Sequence, residues 1–282
     1  MNPSLGRVKD KLKRITPQPL WRLASDSYWW WFNRGRHQFS AALSPRRRES
    51  VRRMRVFKDR HVGKRCFIIG NGPSLRDTDL SLIRDEFTFG LNRIYMLFPE
   101  LGFPTTYLVS VNSLVIEQCW EDFQQLEIPK FITWRGRRWM ADDPRTVFID
   151  TDYTQPETFS TDMTGRLYEG CTVTYVALQL AFYMGFQQAV LIGVDHHFET
   201  KGPPNETVVS TGADPNHFHP GYFGAGFRWQ LPDLDCAERA YRLAREAYQE
   251  HGREVVDATI GGRLDVFPKV EYPTLFREAS GT

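Results

Sequence analysis

The chain has 282 residues, 41% hydrophobic and 25% charged. It is long enough to bury a sizeable core, and its composition excludes a disordered or low-complexity protein. The net charge of +2 conceals a split: residues 1–65 hold 18 of the 36 basic and 4 of the 34 acidic side chains, so that segment stands at +14 and the remainder at −12. Such asymmetry directs the arm, and not the body, toward an anionic partner.

Four cysteines (Cys66, Cys119, Cys171, Cys236) lie far apart without a Cys-x-x-Cys pair, which argues against a zinc or redox motif and leaves disulfides undetermined. Cys66 and Cys171 read as core fillers. With no run of about 18 apolar residues and no apolar signal core, the expected setting is reducing and cytoplasmic.

In chain order, residues 1–63 form a basic, Trp-rich arm. Leu5, Val8, Leu12 and Ile15 fall on one helical face, and Pro17 and Pro19 end it. Trp21 and Tyr28–Phe32 follow, flanked by Arg22, Arg34 and Arg36. Indole rings beside arginines suit the headgroup layer of an anionic membrane, here through residues 1–60. They equally suit an aromatic segment packed on the body or on a second copy, with arginines reaching to water. No nucleic-acid-binding module is present.

Residues 64–282 alternate apolar strand patterns with helical ones. Strands are predicted at 65–70, 87–91, 106–111, 130–134, 146–149, 189–194 and 254–257. Helices are predicted at 79–84, 113–125, 172–184 and 233–251. The rhythm predicts an α/β, Rossmann-like doubly wound fold with a mostly parallel sheet. Residues 195–232, rich in His, Gly, Pro and Asn, break it and read as a long lid loop.

The first strand runs into Gly70-Asn71-Gly72-Pro73-Ser74, with a helix-like segment, residues 77–84, expected next. A glycine-rich turn between strand and helix is how α/β folds make phosphate sites. Leu75 stands where a dinucleotide fingerprint needs its third glycine, and no Gly-Lys-Ser/Thr follows, so this is neither that fingerprint nor a P-loop. Asn71, Asn92 and Asn112 stand at three successive predicted strand ends, where open parallel sheets bind ligands. Each amide both donates and accepts, which suits a base edge or ribose; singly, each also suits an Asx turn or helix cap. Asp195, His196, His197, His217 and His219 concentrate in the long loop. Their spacing matches no named metal motif, so no metal site is expected, and His217 or His219 is the better candidate for a general base.

The segments Gly70–Leu75, Leu91–Tyr95, Val109–Asn112, Val173–Gly185, Val190–Asp195 and His217–Gly224 together resemble the 6-hydroxymethylpterin diphosphokinase MptE-like family (domain-of-unknown-function family 115). That family is itself similar to the bacterial sialyltransferases of glycosyltransferase family 42 and to the flagellin-modifying Maf proteins. The resemblance covers roughly residues 64–258 and leaves the arm unaccounted for. It implies a transferase that uses a nucleotide-sugar donor, CMP-linked as in the sialyltransferases, and a glycan or lipid-linked acceptor. Gly70, Asn71, Gly72, Ser74, Asn92, Asn112, Thr172, Asp195, His197 and Tyr222 would bind substrate, and His217 or His219 would act as base. No cofactor is required under that reading. The implied alternative is a diphosphokinase using ATP and magnesium held by carboxylates such as Asp195; a non-catalytic nucleotide-binding protein is the third. Where the sialyltransferases have Arg-x-Thr-Ser-Gly, this chain reads Gly170-Cys171-Thr172-Val173-Thr174, keeping Thr172 and lacking the arginine.

Overall fold

A computed structural model describes residues 43–153 and 158–276. The arm's predicted helix over residues 5–15 and its aromatic run at 28–32 lie outside the described residues. The chain divides into two units, Met1–Glu49 and Ser50–Thr282. Only residues 43–49 of the first unit are described; they include the opening turn of helix α1 (Pro45–Arg55), which carries six arginines.

The second unit is built on an eight-stranded sheet in the order β10-β7-β1-β2-β3-β4-β5-β6, parallel throughout. The strands are β1 (Arg65–Ile69), β2 (Phe87–Leu91), β3 (Tyr107–Ser110), β4 (Lys130–Thr133), β5 (Thr146–Asp152), β6 (Arg166–Tyr168), β7 (Gln188–Ile192) and β10 (Glu254–Asp257). Seven of these stand where the alternating pattern places them. The three-residue β6 is too short to carry a period. Helices α2 (Phe98–Leu101), α3 (Ser113–Gln125), α4 (Val173–Tyr183) and α5 (Leu234–Glu250) complete the order.

Successive β1 residues point to opposite faces, so Cys66 and Ile68 enter one core while Phe67 and Ile69 enter the other. On the first face α4 is fully sandwiched, each residue from Thr174 to Tyr183 being buried. This is why its sequence is apolar nearly all round, with Thr174 and Gln179 the polar exceptions. α5 covers it with a single stripe, Cys236, Ala237, Ala240, Tyr241, Ala244 and Tyr248, spaced three to four apart. The alanines let the helices approach, and the Tyr248 hydroxyl donates to the Leu178 carbonyl at 2.9 Å.

Two expectations are corrected. No α-helix follows the glycine turn: residues 73–77 and 80–83 form short 3-10 turns, because Pro73 lacks a donor and Asp79 caps a new turn by accepting from the Ser81 amide. The anion-binding helix start expected there is therefore absent. Cys171 is not a core filler; it is exposed and forms a disulfide with buried Cys236, 65 residues away and with Cα atoms 5.9 Å apart. The partner was unreadable because only the packing of α5 beside the start of α4 brings the two together.

The 195–232 segment holds an antiparallel hairpin of β8 (Thr207–Val209) and β9 (Arg228–Gln230). Gln118 of α3 fastens it, donating to the Arg228 carbonyl and accepting from the Arg228 amide. Among the described residues no helix is long and apolar enough to cross a membrane.

Candidate functional site

Strand order reverses at β1. The chain moves outward through β2 to β6, then returns to place β7 and β10 on the other side. At such a switch point the connections leaving adjacent strands diverge and open a crevice at the carboxyl edge. A cavity of about 800 Å³ lies there. It is lined by the ends of β1 (Gly70, Asn71, Gly72), β2 (Asn92), β3 (Asn112) and β7 (Asp195, His196, His197), with the hairpin segment closing one wall.

The glycines of the turn have a steric cause. Gly70 donates to the Ile192 carbonyl at 2.8 Å and Gly72 to the Gly193 carbonyl at 2.9 Å, so the turn runs hard against the β7 exit. A Cβ on Gly70 would stand 2.2 Å from the Gly193 carbonyl oxygen, and one on Gly72 would stand 1.8 Å from Asp195 Oδ2. Asp195 holds the turn from the other strand: Oδ1 accepts from the Ser74 amide at 3.0 Å and Oδ2 from the Ser74 hydroxyl at 2.7 Å.

The three asparagines do different work. Asn71 lines the cavity, and its Oδ1 is buried with no hydrogen-bond partner. An amide oxygen in that state carries a desolvation cost that a ligand donor would relieve. Asn92 takes a left-handed backbone, φ 47°, and its Oδ1 accepts from the Ser110 hydroxyl at 3.0 Å, which orients its NH₂ group. Asn112 caps α3, with Oδ1 accepting from the Leu114 and Val115 amides. Asn112 is thus a helix cap that also forms part of the cavity wall. Thr172 likewise caps α4 and lines the cavity, and Asp233 does both for α5. Three helix N-termini thus converge on one cavity and lend it partial positive charge.

His217 also lines the cavity. Its Nδ1 lies 2.7 Å from buried Asp214 Oδ2, and its ring stacks on Tyr222 at 4.1 Å and 12°. Burial raises the Tyr222 hydroxyl pKa above its ordinary value, so this ring is a neutral backing for the imidazole. His219 is not among the cavity residues; its Nδ1 accepts from the Gly221 amide. Ser74 is also outside the wall, buried behind it on Asp195. His196 lines the cavity with Nε2 3.2 Å from Glu238 Oε1, and His197 lines it as well. The structure thus brings Gly70, Asn71, Gly72, Asn92, Asn112, Thr172, Asp195, His197, His217 and Tyr222 to one cavity and leaves Ser74 and His219 outside it.

Several site residues carry no motif signal. Asp214 is one; its cue was only the Asp-x-x-His spacing in a loop. Arg76 is another, donating to the carbonyls of Phe218 and His217 at 2.7 and 2.9 Å. Arg93 donates to the carbonyls of Gly221 and Tyr222. Arg135 lines the cavity from beyond β4, donating to the Ser113 hydroxyl, to the Val111 carbonyl and to Glu169. Backbone strain gathers here too. Of the five non-glycine residues with positive φ among the described residues, Asn92, Cys171, His196 and Asn205 line the cavity. Strain of that kind persists where surrounding structure over-determines it, and functional sites are where it concentrates.

The architecture is that of an α/β protein with an open cavity at the switch point of a doubly wound parallel sheet. The 6-hydroxymethylpterin diphosphokinase MptE-like family model matches residues 46–201, more than half of the chain, and the protein belongs to that family. No individually curated protein matches it. Among solved structures, a Maf glycosyltransferase from Magnetospirillum magneticum AMB-1 is similar at a TM-score of 0.48 and 14% identity. That likeness covers 80% of this chain and 38% of the other, so the chain spans under two-fifths of that protein's length.

Proposed function

We propose that the cavity binds an activated nucleotide sugar, CMP-linked, and transfers the sugar to a hydroxyl acceptor on a glycan or lipid-linked glycan. The observation that carries this reading is the placement of His217 in the same cavity as three strand-end asparagines, one of them with an unpartnered buried oxygen. The amides of Asn71, Asn92 and Asn112 suit a neutral base edge and ribose. The convergent helix starts suit the phosphate that leaves. In the reaction the acceptor O–H loses its proton to His217, its oxygen bonds to the anomeric carbon, and the bond from that carbon to phosphate oxygen breaks. The electron pair departs with the nucleotide. Nothing in that sequence calls for a metal, and the transfer is proposed to be metal-independent.

A second reading, pyrophosphate transfer from ATP to a hydroxymethylpterin, is favoured by the description of the family itself. It requires magnesium on carboxylates, and Asp195, the residue it would draw on, already gives both oxygens to Ser74. The basic arm is proposed to hold the enzyme at an anionic membrane surface, near a lipid-linked acceptor; sedimentation with anionic vesicles, with and without residues 1–60, tests that. Calorimetry with CMP and with ATP, each with and without magnesium, tests the site. Metal-independent CMP binding that Asn71→Ala abolishes supports the transfer reading. Magnesium-dependent ATP binding without CMP binding overturns it.

A further inference from the structure

The loop around His217 is built to a tighter specification than a polar surface loop requires. Asp214 is buried and makes three contacts with its carboxylate: Oδ2 faces His217 Nδ1 at 2.7 Å and accepts from the Phe223 amide at 3.1 Å, and Oδ1 accepts from the Asn216 amide at 2.8 Å. An ionised carboxylate can only accept, so the hydrogen between it and the imidazole belongs to Nδ1. The other ring nitrogen, Nε2, has no hydrogen-bond partner among the described residues, and the ring lines the cavity. Tyr222 stacks on one face of the ring, and Phe223 meets it edge-on at 4.8 Å. The backbone is fixed from outside the loop: Arg76 holds the carbonyls of His217 and Phe218, and the Phe218 amide donates to the Asn71 carbonyl at 2.9 Å. That last bond joins the histidine loop directly to the turn after β1.

We propose that Asp214 is a positioning residue, whose carboxylate holds His217 as the Nδ1–H tautomer and so presents an unprotonated Nε2 to the cavity. In a neutral imidazole only one nitrogen can accept a proton, and hydrogen bonding at the other decides which. The proton taken from the acceptor hydroxyl then arrives at Nε2, and the imidazolium that forms is met at Nδ1 by the Asp214 carboxylate. What Nε2 does chemically rests on the transfer reading; which nitrogen carries hydrogen does not. The arrangement also separates His217 from His219, whose Nδ1 accepts from the Gly221 amide and has no carboxylate partner.

The test is long-range ¹H–¹⁵N correlation of the histidine ring nitrogens in the full-length protein, with His217 assigned by its loss in His217→Gln. The wild-type spectrum is expected to show a single Nδ1–H tautomer for His217. Asp214→Asn, whose amide can donate to Nδ1, is expected to shift the population toward Nε2–H. Turnover is expected to fall by roughly 10²–10⁴-fold, with CMP affinity within about twofold of wild type. A wild-type His217 in the Nε2–H form overturns the proposal without recourse to any variant, so poor folding of Asp214→Asn leaves it decidable. An unchanged tautomer in a folded Asp214→Asn protein overturns it as well. Failure of CMP to bind would strike the transfer reading and leave the tautomer result standing.

Discussion

Replacing Gly72 by alanine tests how the glycine-rich turn after β1 is held. Gly72 has φ −69° and ψ 160°, an extended conformation open to any residue, so alanine introduces no backbone strain there. The whole effect is the new methyl, which would lie 1.8 Å from Asp195 Oδ2 and 2.4 Å from its Cγ. The carboxylate must rotate away and release both Ser74 bonds, at 3.0 and 2.7 Å. Hydrogen bonds to a charged group contribute about 1.5–3 kcal/mol each, and water entering from the cavity offsets part of the loss, so the expected destabilisation is about 2–4 kcal/mol. In a domain of this size that corresponds to a fall of roughly 4–16 °C in Tm. Ser74→Ala removes the hydroxyl bond without a clash and should cost about 1.5–3 kcal/mol. Because both changes act on one carboxylate, the double variant should cost clearly less than the sum of the two. Thermal or urea unfolding of the four proteins completes the cycle. Additive costs would refute the reasoning, since Gly72 would then be required for something other than room for Asp195.

Asn71→Ala should abolish CMP binding while leaving Tm within about 2 °C, because its Oδ1 has no partner within the protein to lose; calorimetry and melting read the two halves separately. Reducing the Cys171–Cys236 disulfide should lower stability by about 2–4 kcal/mol through the entropy regained by a 65-residue loop, and Cys171→Ser should remove the sensitivity to reductant. Asp143 bears on acid stability. Burial alone would raise its pKa, but hydrogen bonds from Lys130, the Arg145 amide and Thr146, with the Lys130 charge, bring it below the usual carboxylate value. Its contribution is therefore complete above the unfolded-state pKa near 4 and is lost as pH falls through the lower folded-state value. Lys130→Met should flatten that part of the acid unfolding curve, and a curve identical to wild type would count against the assignment. Leu178→Ala, deep in the sandwiched α4, should cost about 2–5 kcal/mol in urea unfolding.

The part of the molecule legible in the chain alone is the part governed by local periodicity and strand ends. The unbroken apolar run Cys66–Ile69 and the largely apolar run from Val173 to Tyr183, interrupted only by Thr174 and Gln179, point to a parallel sheet buried on both faces with a sandwiched helix, since burial on both sides leaves little polar face to be written. The asparagines at 71, 92 and 112 were legible as a set because residues at successive carboxyl ends of parallel strands must come together. That His217 lines the cavity while His219, two residues further along the loop, does not was visible only in the tertiary structure. It alone showed that Ser74 and Asp195 hold each other, and that Cys171 meets Cys236. The carboxylate behind His217 and the arginines gripping its loop were equally hidden. These are contacts between segments whose relative placement depends on strand order, and strand order is set by the summed packing of both cores. The Gly-Asn-Gly-Pro-Ser turn pointed to a candidate site from its residues alone; that its glycines leave room for Gly193 and Asp195, with no helix start behind them, follows from β7 returning beside β1.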